Sequence, residues 1–456
     1  MNLCSKIQLF VLISSAILWL SQPTYANQQT PNAKTHEFLL ENGLKIIVRE
    51  DHRVPIVVSQ VWYKVGSTYE GPGGTGLSHV LEHMLFKGTH KVATGEFSKL
   101  IDEYGGDDNA FTSKDYTGYY QKWDVSRLPI SFELEADRMV NATFPEEEFN
   151  KEMRVIMEER RLRTDDNPNA KAWERFATIA YGSSSYRSPV IGWMHDLKTI
   201  TRQQTIDWYK TWYAPNNATL VVVGDVEPLE VKKLAEKYFG PLKKKEIPIM
   251  PEAREVEPLG ERRMNIKLPA KLPNILMAFN VPSIATVPND QEWEVYALRM
   301  LSGVLDDGNS SRLAKNLKRG RQIAASAGAG YSPFGRGDEL FTFSGIPNKT
   351  YELKDLENAF LEEIDKLKTE LVNADELKRI RAQVLSALVY QQDSISSQAS
   401  SIGRLESIGL SWRLIQEYPD KLAQVTPQQI QQVAKKYLIK DRMTVAYLDP
   451  LPLTTH

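Results

Sequence analysis

Gly73-Gly74-Thr75-Gly76-Leu77-Ser78-His79-Val80-Leu81-Glu82-His83-Met84-Leu85-Phe86-Lys87-Gly88-Thr89 opens with a glycine turn and continues with apolar residues at helical spacing. Leu77, Val80, Leu81, Met84 and Leu85 mark a helix, so His79 and His83, four apart, project from one face of it. Two imidazoles on one face can meet one metal ion. Glu82 sits one residue before His83 on the same side, close enough to touch a metal-bound water without being a ligand itself. The pattern is H-x-x-E-H, the reverse of the commoner H-E-x-x-H zinc motif. Only 7 of the 456 residues are histidine, which makes two of them at this spacing around a glutamate a specific signal.

A catalytic zinc ion takes three protein ligands and leaves a fourth position for water, so a third donor is needed on another element. The candidate segment begins near Pro145, a residue suited to a first helical turn, with Glu146, Glu147 and Glu148 where acidic side chains favour a helix N-terminus. It continues Glu152-Met153-Arg154-Val155-Ile156-Met157-Glu158-Glu159-Arg160-Arg161. Glu152 and Glu159, seven apart, share a face, and Val155 and Ile156 between them are expected on the buried side. Glu158 points elsewhere. Periodicity alone favours an ordinary charged helix.

Three segments together resemble the pitrilysin/insulinase family of zinc peptidases, which includes the mitochondrial processing peptidases. They are Gly76 to Thr89, Gly105-Gly106-Asp107-Asp108-Asn109-Ala110-Phe111-Thr112, and Glu152 to Glu159. Glu159 follows both His83 and Glu152 at the spacing of the family's third ligand. The resemblance therefore implies that His79, His83 and Glu159 hold one Zn²⁺ per chain, that Glu152 supports the ligands from behind, and that Glu82 is the general base. It also implies that Asn109, Ala110, Phe111 and Thr112 form an edge strand that binds extended substrate by adding it to the sheet, although an ordinary strand fits those residues as well. The implied activity is a zinc-dependent endopeptidase acting on extended peptides or unfolded polypeptides. Zinc would polarise the scissile carbonyl and lower the pKa of its water, while Glu82 moves the proton to the leaving amine. The alternative is a non-hydrolytic peptide-binding or assembly subunit, which the intact motif argues against.

Met1 to Ala26 reads as a secretory signal, with Lys6 before an apolar run from Leu9 to Leu20 and Thr24-Tyr25-Ala26 as a cleavage site. A retained anchor is the alternative, though the run is short for a membrane span. Cys4, the sole cysteine, would leave with the signal, so no disulfide is expected. A bacterial periplasm is the expected location. The composition, 42% hydrophobic and 25% charged, is that of a globular protein, and a net charge of −2 gives no reason to expect nucleic acid. Lys243-Lys244-Lys245, the one basic run, reads as a solvated loop.

From Glu37 onward strand and helix signals alternate. Asn42-Gly43 is a hairpin turn, Ile56 to Val65 a strand leading to the histidine helix, and Leu220 to Asp225 an apolar buried strand. Ile200-Thr201-Arg202-Gln203-Gln204, with its helix and strand, is echoed near the end of the chain by Val425-Thr426-Pro427-Gln428-Gln429. The offset is close to half the chain that follows the signal, which implies duplication of one unit. The expected organisation is a signal at 1–26, a metal-binding domain at 27–246, a proline-rich linker at 247–262 and a homologous non-catalytic domain at 263–456. The helix Trp293 to Leu305 corresponds to the histidine helix but has no histidine. The expected fold is α+β, two homologous α/β-sandwich halves arranged as a clamshell, an arrangement taken from the family.

One segment departs from that family. Its active single-chain members carry an Arg and a Tyr seven apart after a Ser-Ser-Arg-Leu-like helix start. Here Ser310-Ser311-Arg312-Leu313 is present, but Lys318 and Ala325 stand at those two positions. A slipped alignment would substitute Arg319, Arg321 or Tyr331. The direct alignment implies a hetero-oligomer, in which a related subunit supplies the missing pair.

Overall fold

A computed structural model describes residues 34–250, 254–255 and 260–453. The signal sequence expected at 1–26 and Cys4 lie outside the described residues. Among the described residues no helix is long and apolar enough to cross a membrane.

Two mixed sheets organise the chain. The first contains β1 (Thr35–Leu39), β2 (Lys45–Glu50), β3 (Ile56–Tyr63), β4 (Asp107–Thr112), β5 (Thr117–Asp124) and β6 (Ala218–Gly224), in the order β1-β2-β6-β3-β5-β4. The second contains β7 (Arg262–Pro269), β8 (Asn274–Val281), β9 (Ala324–Gly330), β10 (Glu339–Pro347) and β11 (Met443–Leu451), in the order β7-β11-β8-β10-β9. Apart from β1 the orders are the same. Each sheet has one parallel pair, β2 with β6 and β7 with β11, and antiparallel neighbours elsewhere. The repeat read in the sequence is visible at atomic detail. Thr201 caps the helix Arg202–Trp212 and Thr426 caps Pro427–Tyr437, each in a reciprocal capping box with the glutamine three residues on. The duplicated α+β clamshell is thus the observed architecture.

The apolar runs explain how the halves join. In β6, Leu220 and Val222 face a core shared with the histidine helix, whereas Val221 and Val223 face the opposite side of the sheet. Every residue of that strand is buried, so it reads as a continuous apolar run. The helix covering the second face is Ile395–Ser407, which belongs to the second half and brings Ile395, Ala399 and Ile402 against Trp62. Reciprocally, Pro168–Ala180 from the first half lies on the second sheet, where Phe176 and Ala180 meet Leu276, Ala278 and Ala446. Each half completes the other. Burying an apolar side chain of this size stabilises by about 1.5–3 kcal/mol, so the exchanged helices contribute a large share of the cohesion between halves. Gly403 of the helix Ile395–Ser407 lies against Trp62, where an added Cβ would stand 2.1 Å from the indole.

Two details differ from expectation. Val155 is 50% exposed, while Phe149, Met153, Ile156 and Arg160 form the inner face of the helix Glu146–Arg160. Its position one residue before Ile156 turns it about 100° away from the core. Lys245 is not simply solvated: its ammonium donates to the carbonyls of Lys210 (2.8 Å) and Tyr213 (2.7 Å) at the end of the helix Arg202–Trp212.

Candidate metal centre

The histidine helix runs Leu77–Met84 and starts from Gly76, whose φ of 96° is left-handed. A side chain there would bring a Cβ within 2.9 Å of the Ile191 carbonyl, so glycine is required on both counts. Behind this turn Glu70 accepts from the Gly76 and Ser78 amides, each at 2.7 Å, and burial pushes its carboxyl up to about 8 against the pull of those two donors. The Thr75 hydroxyl donates to Asp196 at 2.6 Å and accepts from the Trp193 amide at 3.0 Å. The first turn of the helix is therefore pinned from two sides.

That turn aims His79 and His83 at Glu159. His79 Nε2 lies 3.7 Å and His83 Nε2 3.5 Å from Glu159 Oε2, and the three donor atoms all fall within 4.8 Å of one another. Ligands about 2.05 Å from a tetrahedral zinc are separated by roughly 3.3 Å, so this donor set fits zinc with little adjustment. The second carboxylate oxygen, Oε1, is held by Arg163 at 2.7 Å, which leaves Oε2 for the imidazoles. Among the described residues no other group of three His, Cys, Asp or Glu donors converges in this way.

Glu152 accepts the Nδ1 side of His83 at 3.0 Å and pairs with Lys87 at 2.6 Å. This fixes which ring nitrogen of His83 faces the centre. Burial opposes a charge on His83, but bonds to Glu152 and Glu159 outweigh it and lift the ring to about 9. His79 moves the other way, to about 4, because it is more deeply buried and faces the charge of His83. A proton on His83 Nε2, favoured by these carboxylates, would compete with a metal for that nitrogen. His79 Nδ1 has no hydrogen-bond partner among the described residues. Glu159 is held below the usual carboxylate range, first by the His83 hydrogen bond.

Glu82 points into the same cavity and accepts from the Thr112 hydroxyl at 2.5 Å. Burial pushes its carboxyl above the ordinary range, partly offset by that bond. Thr112 ends β4, which is the outermost strand of its sheet, so one edge of the Asn109 to Thr112 segment is unpaired by the sheet itself. The cavity holds about 770 Å³, and Asn109, Ala110, Phe111 and Thr112 lie in its wall with His79, Glu82, His83 and Glu159. Glu158 is half exposed and paired with Arg161, turned away from the centre.

Sequence reading does not anticipate Arg163, Lys87 or Glu70. Arg163 follows Glu159 by four residues, a recognised pairing distance on a helix, and is legible in principle. Lys87 and Glu70 act across gaps in sequence that carry no local signal. After Arg160 the backbone widens into a π-helical turn, Arg161–Asp165. Arg160 is buried, bonded to both oxygens of Glu174 (2.8 and 2.9 Å) and to the Gly192 carbonyl (2.8 Å), tying the ligand helix to the cavity wall.

None of the second-half candidates reaches this cavity, whose walls run from His79 to Ile191. Lys318 and Ala325 are exposed on the second half. Tyr331 is buried with its hydroxyl on the Pro282 carbonyl (2.6 Å), Arg319 donates to the Asn309 carbonyl, and Arg321 pairs with Glu362.

Comparison with known proteins identifies the family. Residues 45–192 match the model of the insulinase family, Peptidase family M16, and residues 199–384 match the Peptidase M16 inactive domain. The chain belongs to peptidase family M16. The second of those regions contains no histidine, in keeping with a half of the M16 fold that lacks the metal motif. "Zinc protease PqqE" of Helicobacter pylori is 29% identical over 97% of this chain and 98% of its own length. "Uncharacterized zinc protease YmxG" of Bacillus subtilis is 26% identical over 89% and 96%. The crystal structure of a protease from Helicobacter pylori superposes with a TM-score of 0.85 at 29% identity, over 92% of this chain and all of that one. The fold is also that of the periplasmic protease PqqL from Escherichia coli, with a TM-score of 0.79 at 20% identity over 92% of this chain. It spans 48% of PqqL's length.

Proposed function

We propose that this M16 protein is a zinc-dependent endopeptidase that hydrolyses extended peptides or unfolded polypeptides. The observation that carries the reading is the convergence of His79, His83 and Glu159 Oε2, within 4.8 Å of one another, beside a half-buried Glu82. Zinc held there would supply Lewis acidity toward the scissile carbonyl and an attacking water. The free edge of β4 offers main-chain donors and acceptors to a substrate strand, with Asn109 to Thr112 running beside it. Thr112 fixes one oxygen of Glu82 at the end of that strand. Glu82 takes the proton from the attacking water and passes it to the leaving amine, and its raised pKa suits a group that must both accept and donate. Glu152 keeps His83 oriented, and Arg163 keeps Glu159 turned toward the imidazoles.

Metal binding is assigned to domain 27–246 and a supporting role to domain 263–456. A signal at 1–26 would carry the protein across the inner membrane, so its action belongs to the periplasm. The test is Glu82→Gln, with zinc per chain measured by mass spectrometry and cleavage of a quenched peptide followed on the same sample. Zinc should stay while turnover falls by at least about two orders of magnitude. Loss of both together overturns the assignment of Glu82.

The cavity walls stop at Ile191, and the Lys318 and Ala325 positions lie elsewhere on the surface. This supports a hetero-oligomer in which a related subunit brings the Arg and Tyr side chains to the substrate. The purified chain should then bind zinc yet cleave poorly, and the partner should raise turnover. Full activity of the isolated monomer would sink the pairing.

A further inference from the structure

Charge around the cavity is uneven once the proposed roles are filled. Glu159 and Glu82 are committed to metal and proton transfer, and Glu174 is neutralised by both arms of buried Arg160. Arg163 is paired with Glu159. Two cations remain in the wall. Arg187 is exposed, and among the described residues its guanidinium has no carboxylate within ion-pair distance and makes one long hydrogen bond, to the Gly182 carbonyl at 3.4 Å. Lys114 lines the same cavity with its ammonium 4.5 Å from the ring centre of Tyr186 and 4.7 Å from that of Tyr181. Among the described residues no carboxylate comes within ion-pair distance of Lys114 either, although Glu339 and Asp115 are near enough to act on it through space. The two cations bracket one residue, Tyr186, which is next to Arg187 in the chain and beneath Lys114.

From this arrangement we infer that Lys114 and Arg187 form a receiving site for a carboxylate of the substrate, so that the cavity selects peptides acidic near the cleaved bond. The inference rests on the peptidase reading and names its substrate class. An unpaired guanidinium facing a cavity favours a carboxylate, which it can grip with two parallel bonds, and repels a basic side chain. Burial lowers Lys114 from its ordinary range, and an arriving carboxylate would favour its charged form. Lys114 lies in the turn between β4 and β5, two residues beyond Thr112 and past the end of the strand beside which the substrate is proposed to lie, so the carboxylate belongs to a residue flanking the cleaved bond and not to the bond itself. It comes from an Asp or Glu side chain, or from the free C-terminus of a short peptide.

The experiment uses the zinc-loaded full chain and a quenched peptide series in which one Glu is moved from three residues before to three residues after the cleaved bond. Each peptide is made with a free and an amidated C-terminus, with Gln and Lys controls. The wild type should favour Glu over Gln at one position by at least about tenfold in kcat/KM, and disfavour Lys there. Arg187→Gln should collapse that ratio, and Arg187→Glu should invert it toward Lys. A preference that survives amidation assigns the side-chain source, and one lost on amidation assigns the terminus. Affinities of the same peptides for zinc-loaded Glu82→Gln, read by fluorescence anisotropy, test the site without turnover. An acid preference in binding with no hydrolysis by the wild type would sink the peptidase reading and leave this inference standing. Hydrolysis with equal ratios for Glu, Gln and Lys, in the wild type and the Arg187 variants, would overturn the inference alone.

Discussion

The two halves share one strand order and differ in what their matching elements carry. In the first, the helix after β3 presents His79 and His83 to a cavity; in the second, the helix Trp293–Asp306 after β8 is buried along nearly its whole length, with Val295, Leu298, Leu301 and Leu305 in the core. The edge strands diverge in the same way. β4 carries Asn109 to Thr112 beside the ligands, and β9 is Ala-Ala-Ser-Ala-Gly-Ala-Gly, small throughout. One frame supports both a reactive surface and a structural one. The frame is set by buried alternation, and the chemistry by a few side chains on elements whose backbone would be the same without them.

The sharpest way to break that contrast is at the third ligand. Glu159→Gln should remove most of the zinc and lower peptide hydrolysis by at least about two orders of magnitude, because only two imidazoles would remain. Glu158→Gln, half exposed and turned away, should change neither. Zinc content and turnover of the two variants decide it, and greater sensitivity at Glu158 would mean the ligand face is misassigned. A smaller effect is expected behind the ligands. Glu152→Gln leaves His83 without its charged partner, so zinc affinity measured by competition with a chelator should weaken about 10–100-fold. Unchanged affinity would reduce Glu152 to a partner of Lys87.

The smallest of the three effects tests whether the halves are separable. Gly403→Val puts a side chain into Trp62 and should cost about 1–3 kcal/mol, read as a lower midpoint in thermal unfolding. Gly71→Ala, with nothing within 4 Å, is the control and should stay within about 0.5 kcal/mol. A neutral Gly403→Val would mean the exchanged helices do not couple the halves.

How far the sequence can be read depends on the range of the interactions. H-x-x-E-H spans one helix turn, and the capping boxes of Thr201 and Thr426 are local bonds repeated in the two halves, so both are legible. Glu159 requires the family spacing, since its helix has acidic residues on several faces. Val155 defeats a reading by apolar content, because residues in adjacent positions cannot share a helix face and Ile156 takes the inner one. The contact of Gly403 with Trp62 joins opposite ends of the sequence, and the bonds of Glu70 to the Gly76 turn need a bend that no periodicity encodes. Buried pairs such as Arg160 with Glu174 look in sequence like surface charges.

The exchanged helices also set a schedule. β6, the last strand of the first sheet, ends at Gly224, but the helix that roofs its outer face ends only at Ser407, deep in the second half. At roughly 5–20 residues per second of synthesis, Ile47, Val58, Trp62, Val221 and Val223 stay uncovered for about ten to forty seconds after the sheet could pair. The metal-binding half is thus made first and finished last: a chain that has emerged only as far as residue 394, from the ribosome or across a membrane, would present a greasy sheet face, a natural target for holding chaperones and a hazard for the cell.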